Sequence, residues 1–221
     1  VSPYDDKALI QDATLASLDA GVRVLQAYRL DRSEIGHVRK LLDYAAFPRD
    51  AVILDLGSGV GEFARLAQDS RQDLTLINLN LSEFQLGLSQ DTHAGICARA
   101  EALPLVDSSV DGVVMAYTFG HCDPAKTIGE VRRVLKPGGV LLFYDVSLPG
   151  FSERNPLEQF GYRVYKFSEL ITMFSPPAFT IDQWGIPALP SIAHMKAIMP
   201  DEVFDETFGA VWPFIARFIK E

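Results

Sequence analysis

Ile53-Leu-Asp-Leu-Gly-Ser-Gly-Val-Gly61 is the stretch on which the fold turns. It closes a short apolar run, Ala51-Val-Ile-Leu-Asp-Leu56, and then places glycine at 57, 59 and 61. A strand-length apolar run that ends in glycines marks a buried parallel strand turning tightly into a helix. Glycine permits the tight turn and lets the backbone approach a ligand closely. The helix expected next, residues 61–68, points free N–H groups at whatever sits above its N-terminus. The spacing is GxGxG. A dinucleotide fingerprint needs GxGxxG, and its third glycine falls on Glu62, which disfavours a nicotinamide dehydrogenase.

Outward from this stretch, apolar runs predict further strands at 74–79, 95–98, 112–116 and 140–145. Ser82 caps and starts one intervening helix. A second runs over 123–135, with Ile128, Val131 and Leu135 on one face, and stops at the turn Lys136-Pro-Gly-Gly139. Upstream, Ser33 is the expected N-cap of a helix through Phe47, halted by Pro48. Earlier still, Leu9, Ala13, Ala16, Ala20, Val24 and Ala27 recur at helical spacing, with Gly21 as a divider. Beyond 148 the rhythm breaks among prolines. A helix over 167–174 and strands over 179–184 and 214–219 are expected, with an insertion of helical pieces between 185 and 210. Strands alternating with helices imply βαβ units, and ligands in such sheets bind beyond the carboxyl ends of the strands. The loops after Leu56, Leu79, Ala98 and Ala116 should therefore surround one crevice.

The chain has 221 residues, 48% of them hydrophobic and 22% charged, an ordinary globular balance that excludes disorder. One domain, 1–221, is expected: a helical cap (1–48), a ligand-binding core (49–147), and C-terminal strands with a cap insertion (148–221). The net charge of −9 argues against nucleic acid, whose phosphates need a basic face. Two cysteines without a CxxC pair fit a reducing compartment. No apolar run reaches the roughly 18–20 residues of a membrane span. Val-Ser-Pro-Tyr-Asp-Asp at the start has no signal-like region, so a cytoplasmic location is expected; the missing initiator Met leaves room for residues upstream. The four histidines have no ligand spacing, so no metal site is expected, although a metal carried by a substrate diphosphate stays open. Arg132 and Arg133 read as a solvated helix face.

Four stretches, in order, carry a family resemblance. Residues 53–61 resemble the first motif of class I S-adenosylmethionine-dependent methyltransferases. Arg99-Ala-Glu-Ala-Leu-Pro-Leu-Val-Asp-Ser-Ser-Val-Asp-Gly-Val-Val114 resembles that family's adenine loop and fourth strand. Glu130-Val-Arg-Arg-Val-Leu-Lys-Pro-Gly-Gly139 resembles its passage from helix to fifth strand, and Ala216-Arg-Phe-Ile-Lys220 its seventh strand. The match is good over 41–143 and loose elsewhere. It implies an α/β fold: a Rossmann-like, seven-stranded, mostly parallel sheet with helices on both faces, plus N-terminal helical and C-terminal cap segments.

The resemblance also implies S-adenosylmethionine as cofactor and assigns roles. Asp55, Gly57, Ser58 and Gly59 would shape the pocket for its methionine end. Asn80 stands where the family usually has an acid for the ribose hydroxyls; an amide oxygen can accept the same bond without charge assistance. The stretch Asn80-Leu-Ser-x-x-Gln85 resembles small-molecule carbon methyltransferases acting on prenyl diphosphates or fatty-acyl olefins. That places Gln85 near the cofactor and Leu81 on the adenine face. Ala100, through its backbone, and Glu101 would line the adenine, with Arg99 where many relatives carry Asp.

Ala116 opens the loop facing methyl transfer, Ala116-Tyr-Thr-Phe-Gly-His-Cys-Asp123. There His121 matches a histidine of the small-molecule branch and is the candidate base. Tyr117 would shape the pocket or stack near the sulfonium. Cys122 has no activator except His121. Of the 14 Phe, 7 Tyr and 2 Trp, ten rings are candidates either for an apolar acceptor pocket or for plain core packing: Tyr4, Tyr28, Phe119, Phe151, Phe160, Tyr162, Tyr165, Phe174, Phe179 and Trp184. The expected function is methyl transfer to a small, apolar or prenyl/lipid-like acceptor, with carbon, oxygen and nitrogen acceptors all open. The alternative is a cofactor-binding but catalytically idle or regulatory protein on the same fold. The sequence does not give the oligomeric state.

Overall fold

In the computed structural model, residues 32–88, 94–149, 158, 161–185, 205 and 211–221 are described. The helical pattern from Leu9 to Ala27, the insertion beyond Gly185, and Tyr4, Tyr28, Phe151 and Phe160 lie outside them.

The apolar runs of the central strands are buried on both faces. β1 (Val52–Leu56), β2 (Thr75–Asn80), β3 (Ala94–Cys97) and β4 (Val110–Ala116) pair in parallel. β5 (Leu135–Leu148) continues them, and the short β6 (Tyr165–Lys166) pairs with it off the main path. β7 (Thr180–Gly185) and β8 (Trp212–Ile219) complete the order β3-β2-β1-β4-β5-β8-β7, in which β8 runs antiparallel to both neighbours. The expected seven strands form this path; the two-residue β6 is an eighth that no periodicity announces.

Helices α1 (Arg32–Ala45) and α2 (Glu62–Ser70) lay Val38, Leu41, Leu42, Ala64, Leu66 and Ala67 on one face of the sheet. A six-residue helix, α3 (Glu83–Leu88), follows β2. On the other face, α4 (Pro124–Val134) and α5 (Phe167–Phe174) bury Ile128, Val131, Val134, Leu170 and Phe174. α1 begins one residue before Ser33, and it stops at Ala45 rather than Phe47. Ala46 takes φ 50 while its N–H still reaches the Leu42 carbonyl at 3.0 Å, a left-handed residue that ends the helix and frees Phe47 to pack in the core.

Two expectations are corrected here, after one open choice. Of the two readings of the aromatic residues, core packing holds for Phe119, Phe174 and Phe179: they interlock with Phe143, Phe214 and Phe218 at ring-centroid distances of 4.8–6.4 Å. Tyr165 belongs to the same cluster. Burying each such ring contributes about 1.5–3 kcal/mol.

Lys136-Pro-Gly-Gly139 does not separate helix from strand; it bulges within β5. Val110 pairs with Leu135 and Gly112 with Val140, so the bulge faces Asp111 alone. Asp111 holds this corner, accepting Val52 N–H at 2.9 Å and Lys136 Nζ at 2.7 Å.

Arg133 is not a solvated charge. Its guanidinium donates to Glu130, Asp107 and the carbonyls of Leu103 and Leu105, clamping the 103–107 loop onto α4. Charged hydrogen bonds of this kind contribute about 1.5–3 kcal/mol each and are not additive. Arg133→Met keeps the aliphatic stem and loses the clamp. It should lower stability by about 2–3 kcal/mol in urea unfolding; a loss under about 0.5 kcal/mol would return Arg133 to the solvated class.

Candidate functional site

The site is built on the turn after β1. Gly57, Gly59 and Gly61 all have positive φ (81, 55 and 79°). The N–H groups of Gly57 and Ser58 donate to the Leu79 carbonyl at 2.7 and 3.1 Å, which ties the turn to the end of β2. A side chain at Gly57 would overlap that of Thr118, the residue that follows Tyr117 in the loop after β4. The glycine at 57 thus serves two ends: its backbone angle, and the close approach of two loops.

Asp55 lies in β1, 3% exposed, on the side covered by α1 and α2. Its Oδ2 has no hydrogen-bond partner, and neither has the buried Ser58 Oγ. Burial alone pushes the Asp55 pKa up to about 7. Its register partner on β2 is Asn78, 1% exposed, whose Oδ1 is also unpartnered. In the sequence, Asn78 is marked only as an amide two residues before the end of an apolar strand.

At the end of β2, Asn80 Nδ2 donates to Gln85 Oε1 at 3.0 Å, and Gln85 N–H donates to Ser82 Oγ at 3.0 Å. Ser82 therefore does cap α3, and Asn80 and Gln85 meet. Gln85 Oε1 would lie 3.8 Å from a Cβ on Gly59, so this amide pair borders the glycine turn. Leu81 is half-buried beside it, and its carbonyl accepts the Cys97 thiol at 3.3 Å. Ala98 N–H donates to the Asn80 carbonyl at 3.1 Å, leading into Arg99, Ala100 and Glu101. Ala100 is buried. Glu101, half-buried, accepts Asp123 N–H on its Oε1 at 2.9 Å and ties this loop to the start of α4.

Beyond β4, Ala116 is half-buried and Tyr117 has φ 50. For an aromatic residue that backbone costs about 1–3 kcal/mol and marks a position over-determined by its surroundings. Tyr117 N–H donates to the Tyr144 carbonyl at 2.9 Å, and the two rings meet edge-on at 5.1 Å. His121 closes a single 3-10 turn, Phe119–His121. Its imidazole stands edge-on to the Tyr162 ring at 4.8 Å. A side chain at Gly120 would strike that ring and the Arg163 carbonyl. Tyr162 O–H donates to Asp145 Oδ1, which also accepts Val146 N–H at 2.7 Å. Asp145 is 2% exposed, and burial raises its pKa to about 7 against those hydrogen bonds. The sequence signals this Asp145–Tyr162 pair only through an acid inside the apolar run Val140-Leu-Leu-Phe-Tyr-Asp-Val146. Around it, Val146, Leu148, Val164 and Val211 form a small apolar cluster against which Tyr117 packs. No group of three or more potential metal ligands occurs among the described residues.

A family described as a methyltransferase domain matches residues 54–143. The ubiquinone/menaquinone biosynthesis C-methyltransferase UbiE of Hahella chejuensis is 34% identical over 149 residues, 62% of this chain and 58% of that protein. Residues 54–143 are thus similar to a methyltransferase domain. A malonyl-[acyl-carrier protein] O-methyltransferase of Alcanivorax borkumensis is 37% identical over 95 residues, 40% of this chain and 32% of that one. The chain thus spans less than two thirds of the length of both relatives. The geranyl diphosphate C-methyltransferase of Streptomyces coelicolor A3(2) shares the methyltransferase fold, with a TM-score of 0.80 at 13% identity over 100% of this chain and 99% of that structure. The GxGxG turn, the Asn80–Gln85 pair and the loop after β4 all lie at the carboxyl edge of the methyltransferase sheet. No described helix is long and apolar enough to cross a membrane.

Proposed function

We propose that this chain transfers a methyl group from S-adenosylmethionine to a small, apolar or prenyl-like acceptor. The carrying observation is Asp55, a buried carboxyl with an unpartnered oxygen at the end of β1, beside a turn of positive-φ glycines. These residues suit the cofactor. A carboxylate there matches an ammonium, Ser58 Oγ can take or give a further hydrogen bond, and the Asn80–Gln85 amides suit ribose hydroxyls. Ala100 and Leu81 would flank the adenine. Bound there, the cofactor supplies a methyl already activated by positive sulfur.

The protein's work is then to align the acceptor and exclude water, and alignment alone can be worth about 7–11 kcal/mol. Tyr117 and the Val146, Leu148, Val164 and Val211 cluster would wall the acceptor. His121 would take the proton that the acceptor loses. The C-methyltransferase relative and the C-methyltransferase fold neighbour favour carbon as the acceptor atom, and the O-methyltransferase relative keeps oxygen in play.

Calorimetry with S-adenosylmethionine should give saturable binding; no heat at high micromolar ligand would sink the reading. Methyl-labelled cofactor incubated with a metabolite extract should then label a small product. Binding without transfer would favour the idle or regulatory alternative. In His121→Asn, transfer should fall about 10²–10⁴-fold with cofactor affinity unchanged. A drop of only twofold would remove His121 as base.

A further inference from the structure

The geometry points to Asn78 as a positioning residue for Asp55, serving that carboxyl in both its neutral and its charged form. Asp55 and Asn78 are register partners on adjacent parallel strands, so their side chains leave the sheet side by side on the same face. Both are more than nine-tenths buried, and each keeps an oxygen with no hydrogen bond. Buried polar atoms rarely go unmatched, and such atoms cluster where function requires it. On the other side of Asp55 stands Val114 of β4, and Ala64 and Ala67 of α2 pack on the same face. No charged group among the described residues shifts Asp55; burial is the sole influence on it.

An amide is unusual in offering both halves of a hydrogen bond. Asn78 Oδ1 can accept the proton of neutral Asp55. Turned by half a rotation, Nδ2 can donate to the ionised carboxylate. A carboxyl that must stay buried alone and then meet a cation needs a neighbour of this kind. Ionisation sends the Asp55 proton to solvent, so binding of an ammonium there releases a proton. This rests on the cofactor reading above, through the ammonium that Asp55 would meet.

The test is calorimetry with S-adenosylhomocysteine in buffers of differing ionisation heat, which counts protons released at each pH. In the wild type, release should approach roughly 0.9 proton near pH 6 and fade above pH 8. Asn78→Leu is close in size and offers no hydrogen bond. It should weaken binding about tenfold and move the midpoint of the release profile up by about one pH unit, because the charged carboxylate loses a stronger hydrogen bond than the neutral acid does. Asn78→Ala should do the same if Leu does not fold, and Asn78→Thr, with a hydroxyl that donates and accepts, should recover part of the shift. A folded Asn78→Leu or Asn78→Ala with an unmoved midpoint overturns the inference, since a merely structural amide would change affinity without moving it. If the wild type binds no S-adenosylhomocysteine, the cofactor reading falls instead. The pairing is then read in the free protein from the ¹³C titration of the Asp55 carboxyl, which must move in Asn78→Leu or the inference fails.

Discussion

Asp55→Asn is expected to make the protein more stable and to ruin it as a binder. The folded pKa of Asp55 is raised from 3.8 to about 7. The folded state therefore holds a proton that the unfolded state gives up between about pH 4 and pH 7, and stability falls across that window. Above pH 7 the full penalty stands, at most about 4 kcal/mol for a shift of this size. An amide carries no charge to bury. In urea unfolding at pH 8, Asp55→Asn should gain about 2–4 kcal/mol, and the gain should shrink towards zero near pH 4. Cofactor affinity moves the opposite way. Losing a charged partner for an ammonium is worth about 1.5–3 kcal/mol, or roughly 10- to 150-fold in S-adenosylhomocysteine binding. A variant destabilised at pH 8 would contradict the burial argument, and one with wild-type affinity would take Asp55 out of the site.

The second large effect belongs to Gly57→Ala. An alanine there meets two separate costs. Its backbone would sit at φ 81, about 1–2 kcal/mol for a residue with a Cβ. Its Cβ would also overlap Thr118, and forcing extra volume into a packed contact costs about 1–3 kcal/mol. The sum predicts a loss of roughly 3–4 kcal/mol in urea unfolding, together with loss of S-adenosylhomocysteine binding. Two controls separate the costs. Gly59→Ala meets only Gln85 Oε1, at 3.8 Å, and carries φ 55 alone, so it should lose about 1–2 kcal/mol. Gly57→Ala combined with Thr118→Ala should recover the part that came from the overlap. Equal damage from Gly57→Ala and Gly59→Ala would show that the collision has no weight.

Much of the fold was legible in the sequence because its central strands are buried on both faces. Such strands write themselves as unbroken apolar runs, and β1, β2 and β4 appear within two residues of where those runs lie. α5 coincides with the expected helix from Phe167 to Phe174. The bulge in β5 was hidden because Pro and two glycines are the same signal whether a chain turns away or loops out and returns. Only the pairing of Gly112 with Val140 tells the two apart. Arg133 was misread because a helix-face pattern cannot see a loop from another part of the chain folding over it.

At the site, residues tied to local sequence were readable: the glycines, the Ser82 cap, and the spacing that brings Asn80 to Gln85. Contacts between distant segments were not. Thr118 against Gly57, Asn78 beside Asp55, and Tyr162 on Asp145 each join segments that only the sheet brings together. The aromatic residues show the same limit from the other side. Composition counts rings, but only packing decides that Phe174 fills the core and Tyr162 faces His121.

The place of β8 bears on how this sheet can be assembled. β7 pairs with β8 alone, and β8 enters antiparallel between β7 and β5. Although β7 comes earlier in the chain, it has no strand to join until β8 has arrived, so the sheet cannot grow in the order in which the chain is read. Until then β5 offers a long row of unpaired N–H and C=O groups along an edge whose side chains are almost all apolar. Such an edge is a template for any other extended chain. The closing of β8 onto β5 is therefore the step at which correct folding competes with self-association, and the loop it must close is long.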